Sequence, residues 1–397
     1  MGVIISETLK KAGLRDISTY KRVNVGEIPK IPTGLDLDKD LFGGIRYGDL
    51  TLISGAAGCS KTTLVSQIVC MAIETNRPVM VVSGENGYPD WLDKIVRNQL
   101  GPGFGWIEKS IQGTGYTAIE PDPETELFIR KEINGMVFGY TPQASDNQLQ
   151  DIINVAHEYI KMCLDQGYSA PLMVLDNLMT LECMTPFIPD TYTKQKLICN
   201  TFASLAKDTG FSIGGEPVQI PVVLICKLRK SSSSNGKQPA DSLDEISGAS
   251  EIGKLAGLAI NIGYKPDDKK HKSSERIYTI TKTRFSTGHE KDEYVVAFDR
   301  DSMRTYSVGD YDTLFMHRRW RELINSEDFT VGLISKYEAD EMEMRRRITT
   351  SPQEYYQKPV LEDLSFVKVN RPDDIEIHKS LQTISMFFNQ TSEDDYK

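Results

Sequence analysis

From Pro32 to Arg304, short apolar runs alternate with segments whose apolar residues recur at helical spacing, the pattern of a mostly parallel sheet covered by helices on both faces. The runs Leu50–Ile53, Val79–Val82, Met136–Tyr140, Leu172–Leu175, Pro221–Ile225, Leu258–Ile262, Ile277–Thr281 and Tyr294–Phe298 are predicted strands, the last two antiparallel. Several are continuous rather than alternating, as strands buried on both faces should be. Asn147–Leu164 is a predicted helix: it carries apolar residues at Leu149, Ile152, Ile153, Val155, Ala156, Ile160 and Cys163, behind a capping-box-like Ser145 and Gln148. Near the N-terminus, Ile5–Leu14 is a short amphipathic segment with Gly13 as a stop, marginal unless docked on its own core or a neighbouring subunit.

Between these elements, Arg229–Asp244 is rich in Ser, Gly, Lys and Asp without apolar periodicity and is expected to be a mobile loop, and Pro266–Glu275 reads as a charged loop. After about residue 310 the pattern changes to charged stretches ending in the acidic Thr391–Lys397. The expected organisation is therefore an N-terminal linker or docking helix over 1–30, an α/β core over 31–310 and a helical C-terminal extension with an acidic tail over 311–397.

The richest chemistry lies directly after the first core strand, where Ser54–Thr63 reads Ser-Gly-Ala-Ala-Gly-Cys-Ser-Lys-Thr-Thr. Small residues let successive backbone N–H groups turn toward one anion, a Lys reaches the β- and γ-phosphates, and a hydroxyl meets Mg²⁺. Gly55, Ala56, Ala57, Gly58, Cys59, Ser60, Lys61, Thr62 and Thr63 are thus candidate nucleotide-binding residues, and the following helix would aim its N-terminal dipole at the phosphates. Ser60 stands where the usual G-x-x-x-x-G-K-[ST] pattern has Gly; it fits with helical backbone angles and is disfavoured at positive φ.

Two further strands end in acids. Leu172–Leu175 runs into Asp176, as in a Walker B strand whose Asp holds the Mg²⁺ shell, although a core strand with a solvated Asp at its end reads the same. Val79–Val82 runs into Ser83-Gly84-Glu85, and beyond the carboxyl end of a parallel strand Glu85 can orient and deprotonate an attacking water. Lys282 and Arg284 sit two residues apart on one strand and share a face, so Arg284 could serve as an arginine finger with Lys282 as companion, or both as a solvated strand end.

Composition narrows the setting. The 397 residues and 39% hydrophobic content suffice for one large α/β domain with extensions. The N-terminus lacks the basic flank and cleavage site of a secretory signal and no run of eighteen apolar residues occurs, so the expectation is a soluble, cytoplasmic chain without membrane contact, a phage-encoded protein in its host cytoplasm or an organellar matrix protein included. Gly2 superficially fits a myristoylation pattern, a common chance match. The six cysteines form no C-x-x-C pair and read as reduced core thiols, with no zinc ribbon. A net charge of −10 excludes nucleic-acid binding by bulk attraction but leaves room for a local basic channel. Lys227, Arg229, Lys230 and Lys237 form one basic cluster and Lys265, Lys269, Lys270 and Lys272 another; each alone reads as a solvated loop.

In order, the motifs resemble the helicase domain of the hexameric RecA-like replicative DNA helicases of the DnaB and Twinkle kind. The resemblance is carried by Ile31–Asp36 and Gly43–Leu50 leading into the phosphate loop, the loop itself, Glu85 after the next strand, Leu175–Leu178, Leu224–Lys230, Ser247–Glu251 and the Lys282-x-Arg284 strand, and covers about residues 30–305. It implies a RecA-like P-loop NTPase core using ATP or another NTP or dNTP with Mg²⁺. Lys61, Thr62 and Asp176 would hold nucleotide and metal, Glu85 would be the general base and Arg284 would act on a neighbour's nucleotide. Phe298 falls near the position where relatives stack an aromatic on the base. Lys227 stands where relatives carry a His or Gln that senses the γ-phosphate, and a cation there can also contact phosphate.

By the same resemblance, the stretch from Lys227 to Lys254 contains the loops lining a ring's channel, with Arg229, Lys230, Lys237, Ser247, Gly248 and Lys254 as candidate DNA-binding residues. The implied activity is ATP-driven translocation on single-stranded DNA by a homo-hexameric ring. DNA polymerase, primase or a single-strand-binding protein are candidate partners for the C-terminal tail. Two other readings stay open: a RecA/RadA-type recombinase forming filaments, and a low-turnover nucleotide-bound scaffold suggested by Ser60 and Lys227.

Overall fold

The computed structural model describes residues 28–101, 106–111, 117–143, 145, 148–183, 187–188, 190–227, 250–264, 275–285, 292–299 and 301–307. The elements run β1 (Lys30–Ile31), α1 (Leu37–Asp40), β2 (Ile45–Arg46), β3 (Leu50–Gly55), α2 (Lys61–Glu74), β4 (Val79–Ser83), α3 (Tyr88–Leu100), β5 (Trp106–Ser110), β6 (Thr117–Pro121), α4 (Pro123–Glu132), β7 (Val137–Tyr140), α5 (Gln148–Asp165), β8 (Leu172–Asp176), α6 (Thr191–Lys207), β9 (Ser212–Ile213), β10 (Glu216–Pro217), β11 (Val222–Lys227), α7 (Ser250–Leu255), β12 (Leu258–Tyr264), β13 (Glu275–Thr283), β14 (Glu293–Asp299) and β15 (Arg304–Ser307).

Among the described residues, nine strands form one sheet in the order β15-β14-β13-β12-β3-β11-β8-β4-β7. From β12 through β7 the neighbours are parallel, and β13, β14 and β15 add on antiparallel. Every residue of β3, β4 and β8 is buried, which is why these strands read as unbroken apolar runs. Their side chains divide between two cores. Ile53, Val81, Val174 and Ile225 pack with Leu64, Ile68, Trp91 and Ile95 of α2 and α3, while Leu52, Val82, Leu175 and Leu224 pack with Ile152, Ile160, Ile198 and Phe202 of α5 and α6. All six cysteines are free and buried.

The eight strands predicted from the sequence are all present, with ends moved by one or two residues, and the helix predicted over 147–164 is α5. Its expected capping box does not operate as such: Gln148 donates to the Gln143 carbonyl at 2.8 Å and accepts from Glu182 N–H at 3.0 Å, while Ser145 donates to Asp151 at 3.2 Å. Strand β15, the β1–β2 pair and the hairpins β5–β6 and β9–β10 carry no apolar run that would have announced them. The segment Ile5–Leu14, the loop Arg229–Asp244, the loop residues 266–274 and the extension 311–397 lie outside the described residues; Glu275 already belongs to β13.

Candidate functional site

The phosphate loop leaves β3 at Gly55 and enters α2 at Lys61. Gly55 is tightly packed: a Cβ there would come within 2.5 Å of both the Cys59 sulfur and the Ile262 carbonyl oxygen. Ala56, Ala57 and Gly58 are exposed, so the turn faces outward with its backbone accessible. Ser60 has φ 74° and ψ 28°, the left-handed conformation rather than the helical one its side chain would prefer. That position costs an ordinary L-residue roughly 1–2 kcal/mol, which explains the Gly of the usual pattern. Lys61 is buried and folds its ammonium back onto the loop, donating to the carbonyls of Gly55 at 3.0 Å and Ala56 at 2.6 Å. Thr62 is partly exposed at the first turn of α2, and its carbonyl accepts from the Ser66 hydroxyl at 2.7 Å.

Sheet order brings the other candidates to the same end. Strand β11 lies between β3 and β8, and Lys227 pairs with Gly55 across it. Strand β8 lies between β11 and β4, with Asp176 opposite Ser83. Glu85 follows two residues later, after a turn in which Ser83 Oγ donates to the Asn86 carbonyl at 2.9 Å and accepts from Asn86 N–H at 3.1 Å.

These side chains contact one another directly. Asn86 Nδ2 donates to Asp176 Oδ2 at 2.8 Å. Lys227 Nζ donates to Glu85 Oε1 at 2.7 Å, and Asn177 Nδ2 donates to the other oxygen, Glu85 Oε2. Burial pushes the Asp176 carboxyl above its ordinary value; the Asn86 bond opposes this rise and the nearby Glu85 carboxylate adds to it.

Asn86 and Asn177 were not singled out in the sequence. The signal available for Asn177 was an amide directly after the strand-ending acid. Tyr264 was also missed: at the end of β12, its hydroxyl donates to the Ala57 carbonyl at 3.4 Å, and the Arg276 guanidinium lies 4.5 Å from its ring centre.

Lys282 and Arg284 lie toward the opposite end of the sheet. Thr283 pairs with Leu258, which neighbours Thr51 at the start of β3, four residues before Gly55. At about 3.3 Å per residue this is a separation of roughly 13 Å along the strands. The two side chains do share a face, and both reach the C-terminal end of α7: Lys282 donates to the Gly253 and Lys254 carbonyls at 2.7 and 2.8 Å, and Arg284 to the Lys254 carbonyl at 2.6 Å. Cations at these carbonyls suit the helix dipole. The Lys254 side chain is exposed. Phe298 is on β14, three strands from β3 and about 14 Å away by sheet spacing. Arg229, Lys230, Lys237, Ser247 and Gly248 lie outside the described residues.

The donor set fits a nucleotide with Mg²⁺. Among the described residues no group of three His, Cys, Asp or Glu side chains can hold a metal alone. One strand-end carboxylate, Asp176, and one hydroxyl, Thr62, are the donor types that would form the protein's share of a Mg²⁺ shell, with phosphate oxygens and water as the rest. Among the described residues no helix is long and apolar enough to cross a membrane.

Residues 31–156 match the family model described as ATPase: KaiC. The DNA repair protein RadA of Pseudomonas aeruginosa is 35% identical over 71 residues, 18% of this chain and 16% of RadA. That of Haemophilus influenzae is 36% identical over 70 residues, 17% and 15% of the two chains. The match thus spans about a sixth of the length of these curated relatives. Among solved structures, one ATPase domain superposes with a TM-score of 0.54 at 16% identity, covering 71% of this chain and 92% of that one. A DnaB-like replicative helicase, whose structure was described together with its interactions with primase, gives 0.56 at 14% identity, covering 76% and 68%. With the nine-stranded sheet, these superpositions establish the fold as RecA-like α/β with a P-loop at the carboxyl end of β3.

Proposed function

We propose that this chain is the motor subunit of an ATP-dependent DNA helicase that moves along single-stranded DNA as a homo-hexameric ring, hydrolysing nucleotide at subunit interfaces. The observation that carries the reading is the division of the candidate machinery between opposite ends of one sheet. Lys61, Thr62, Asp176 and Glu85 gather at the carboxyl ends of β3, β8 and β4, while Lys282 and Arg284 lie toward the other end, away from their own phosphate loop, as residues serving a neighbour's nucleotide would. The superpositions on the solved ATPase domain and on the DnaB-like helicase support it at the level of fold.

Bound ATP supplies the phosphoanhydride that is broken, and Mg²⁺ offsets the charge of its phosphates. Lys61, which bonds the loop carbonyls, would exchange them for phosphate oxygens, and Thr62 and Asp176 would hold the metal. Glu85 accepts a proton as water attacks the γ-phosphorus, and Arg284 from the adjacent subunit stabilises the charge on the departing diphosphate. Phe298 contacts the base in this reading. Loops between Lys227 and Lys254, with Arg229, Lys230, Lys237, Ser247, Gly248 and Lys254, grip the DNA backbone in the channel, and the C-terminal tail docks a polymerase, primase or single-strand-binding protein.

A second reading is a RecA/RadA-type recombinase that assembles filaments on DNA; the short matches to proteins named for DNA repair support DNA processing under either reading. One experiment separates them: unwinding of a forked duplex with a free single-stranded tail, imaged in parallel with an ATP analogue and oligonucleotide. Closed rings and tail-dependent unwinding are expected; filaments, or hydrolysis indifferent to DNA, would sink the helicase reading.

A further inference from the structure

Glu85 is held on both oxygens, and the two holds differ in kind. Asn177 is buried and rigid: its Oδ1 accepts from Met179 N–H at 2.8 Å and its backbone N–H bonds Thr180 Oγ1 at 3.3 Å. With Oδ1 committed to the turn, Nδ2 has one direction left, and that direction is Glu85 Oε2. Lys227 is different. Its side chain and that of Glu85 are 41% and 37% exposed, and an ion pair that open to water is weak and readily exchanged.

The position of Lys227 suggests what it exchanges for. It sits directly across from Gly55 in the sheet, beside the phosphate loop, and reaches past the end of β8 to Glu85. The Lys227 backbone therefore stands beside the loop while its ammonium rests on the carboxylate. A terminal phosphate on the loop offers it a more highly charged partner. We propose that Asn177 is the positioning residue for Glu85, and that Lys227 masks the same carboxylate until a γ-phosphate draws the ammonium away. An empty or diphosphate-bound site then keeps its base covered, and only a triphosphate uncovers it, in the place Asn177 fixes. The inference rests on the reading of Glu85 as general base.

Affinity measurements test the mask without relying on turnover. If Lys227 must leave Glu85 to meet the γ-phosphate, Glu85→Gln should bind the non-hydrolysable triphosphate AMP-PNP roughly 3- to 10-fold more tightly than wild type, with ADP affinity unchanged. In a Lys227→Met background the same Glu85→Gln change should give no gain. A gain that persists without Lys227 reflects simple charge repulsion and overturns the mask.

For the positioning role, Asn177→Asp keeps an acceptor for Met179 N–H but removes the donor to Glu85 and sets a second carboxylate beside it. Its kcat should fall about 10- to 100-fold with KM little changed, and the acid limb of its pH profile should move upward. Wild-type kcat and an unmoved limb in Asn177→Asp, with Glu85→Gln inactive, overturn the proposal alone. Full turnover by Glu85→Gln overturns the base assignment beneath it. Both Glu85 and Lys227 are partly exposed, so the affinity cycle remains decisive if the buried Asn177 variant fails to fold.

Discussion

Gln67 ties the phosphate-loop helix to the last described strand: its Oε1 accepts from both the backbone N–H and the hydroxyl of Thr305, each at 2.9 Å, across 238 residues of sequence. Its Nε2 donates to the Thr33 carbonyl at 2.9 Å, so one buried amide holds α2, the lead-in turn and β15 together. Truncating it strands three buried polar partners, and leaving such groups unpaired costs about 1–3 kcal/mol each before relaxation or water entry. Gln67→Ala should lower stability by roughly 2–4 kcal/mol in urea unfolding. A loss within about 0.5 kcal/mol, typical of plain surface sites, would contradict the network.

Ser60 offers a substitution in the stabilising direction. Glycine adopts φ 74° without the side-chain penalty serine meets there, offset in part by the greater freedom of an unfolded glycine. Ser60→Gly should raise the unfolding free energy by about 0.5–1 kcal/mol and bind nucleotide at least as well. Thermal melting with and without ADP reads both, and a lowered midpoint would speak against left-handed strain at this position.

Asp38 should make stability depend on pH. Its carboxylate accepts from Thr33 N–H, the Thr33 hydroxyl and Gly34 N–H, yet burial outweighs these bonds and raises it from 3.8 to about 6. Because the folded value lies above the unfolded one, the folded state holds the proton more tightly. The contribution is full below the unfolded value and is lost as pH rises through about 6. Asp38→Asn should therefore flatten the stability profile between about pH 4 and 6.5, measured by urea unfolding. An equal gap between wild type and variant across that window would exclude Asp38 as the titrating group.

The legible parts of this fold and site share one cause, local pattern. Strands β3, β4 and β8 are buried on both faces and so announce themselves as apolar runs, and the chain's own order sets Gly55, Glu85 and Asp176 at or just beyond their ends. Strand β15 was hidden because it is held partly by Gln67 and by the Ser307 hydroxyl, which accepts from Asp36 N–H at 2.7 Å, distant bonds that leave no periodic trace. The Asn177–Glu85–Lys227 contacts depend on the register of Asp176 against Ser83 and of Lys227 against Gly55, which spacing along the chain does not encode. The backbone angle at Ser60 was posed by the motif and answered only by the loop's path between Gly55 and Lys61.

Arg284 provides the sharpest test of the subunit-interface reading, and its surroundings dictate the controls. Within one protomer its guanidinium bonds the Lys254 carbonyl at the end of α7, and Lys282 bonds the same carbonyl, so Arg284→Ala leaves that helix end with one of its two cations. The stability cost should be about 0.3–1 kcal/mol, the range for a charge at a helix terminus, and thermal melting checks it. Catalysis should respond far more strongly. If Arg284 completes the site of an adjacent subunit, doping Arg284→Ala chains into wild type should depress hydrolysis more steeply than their mole fraction, because each one disables a neighbour and stalls a ring that turns over in sequence. Glu85→Gln chains, defective in their own site, provide the comparison. A linear decline with Arg284→Ala fraction, reaching the slow rate of the pure variant without curvature, would show that no ring stalls on a missing neighbour and would remove sequential firing through Arg284 from the mechanism.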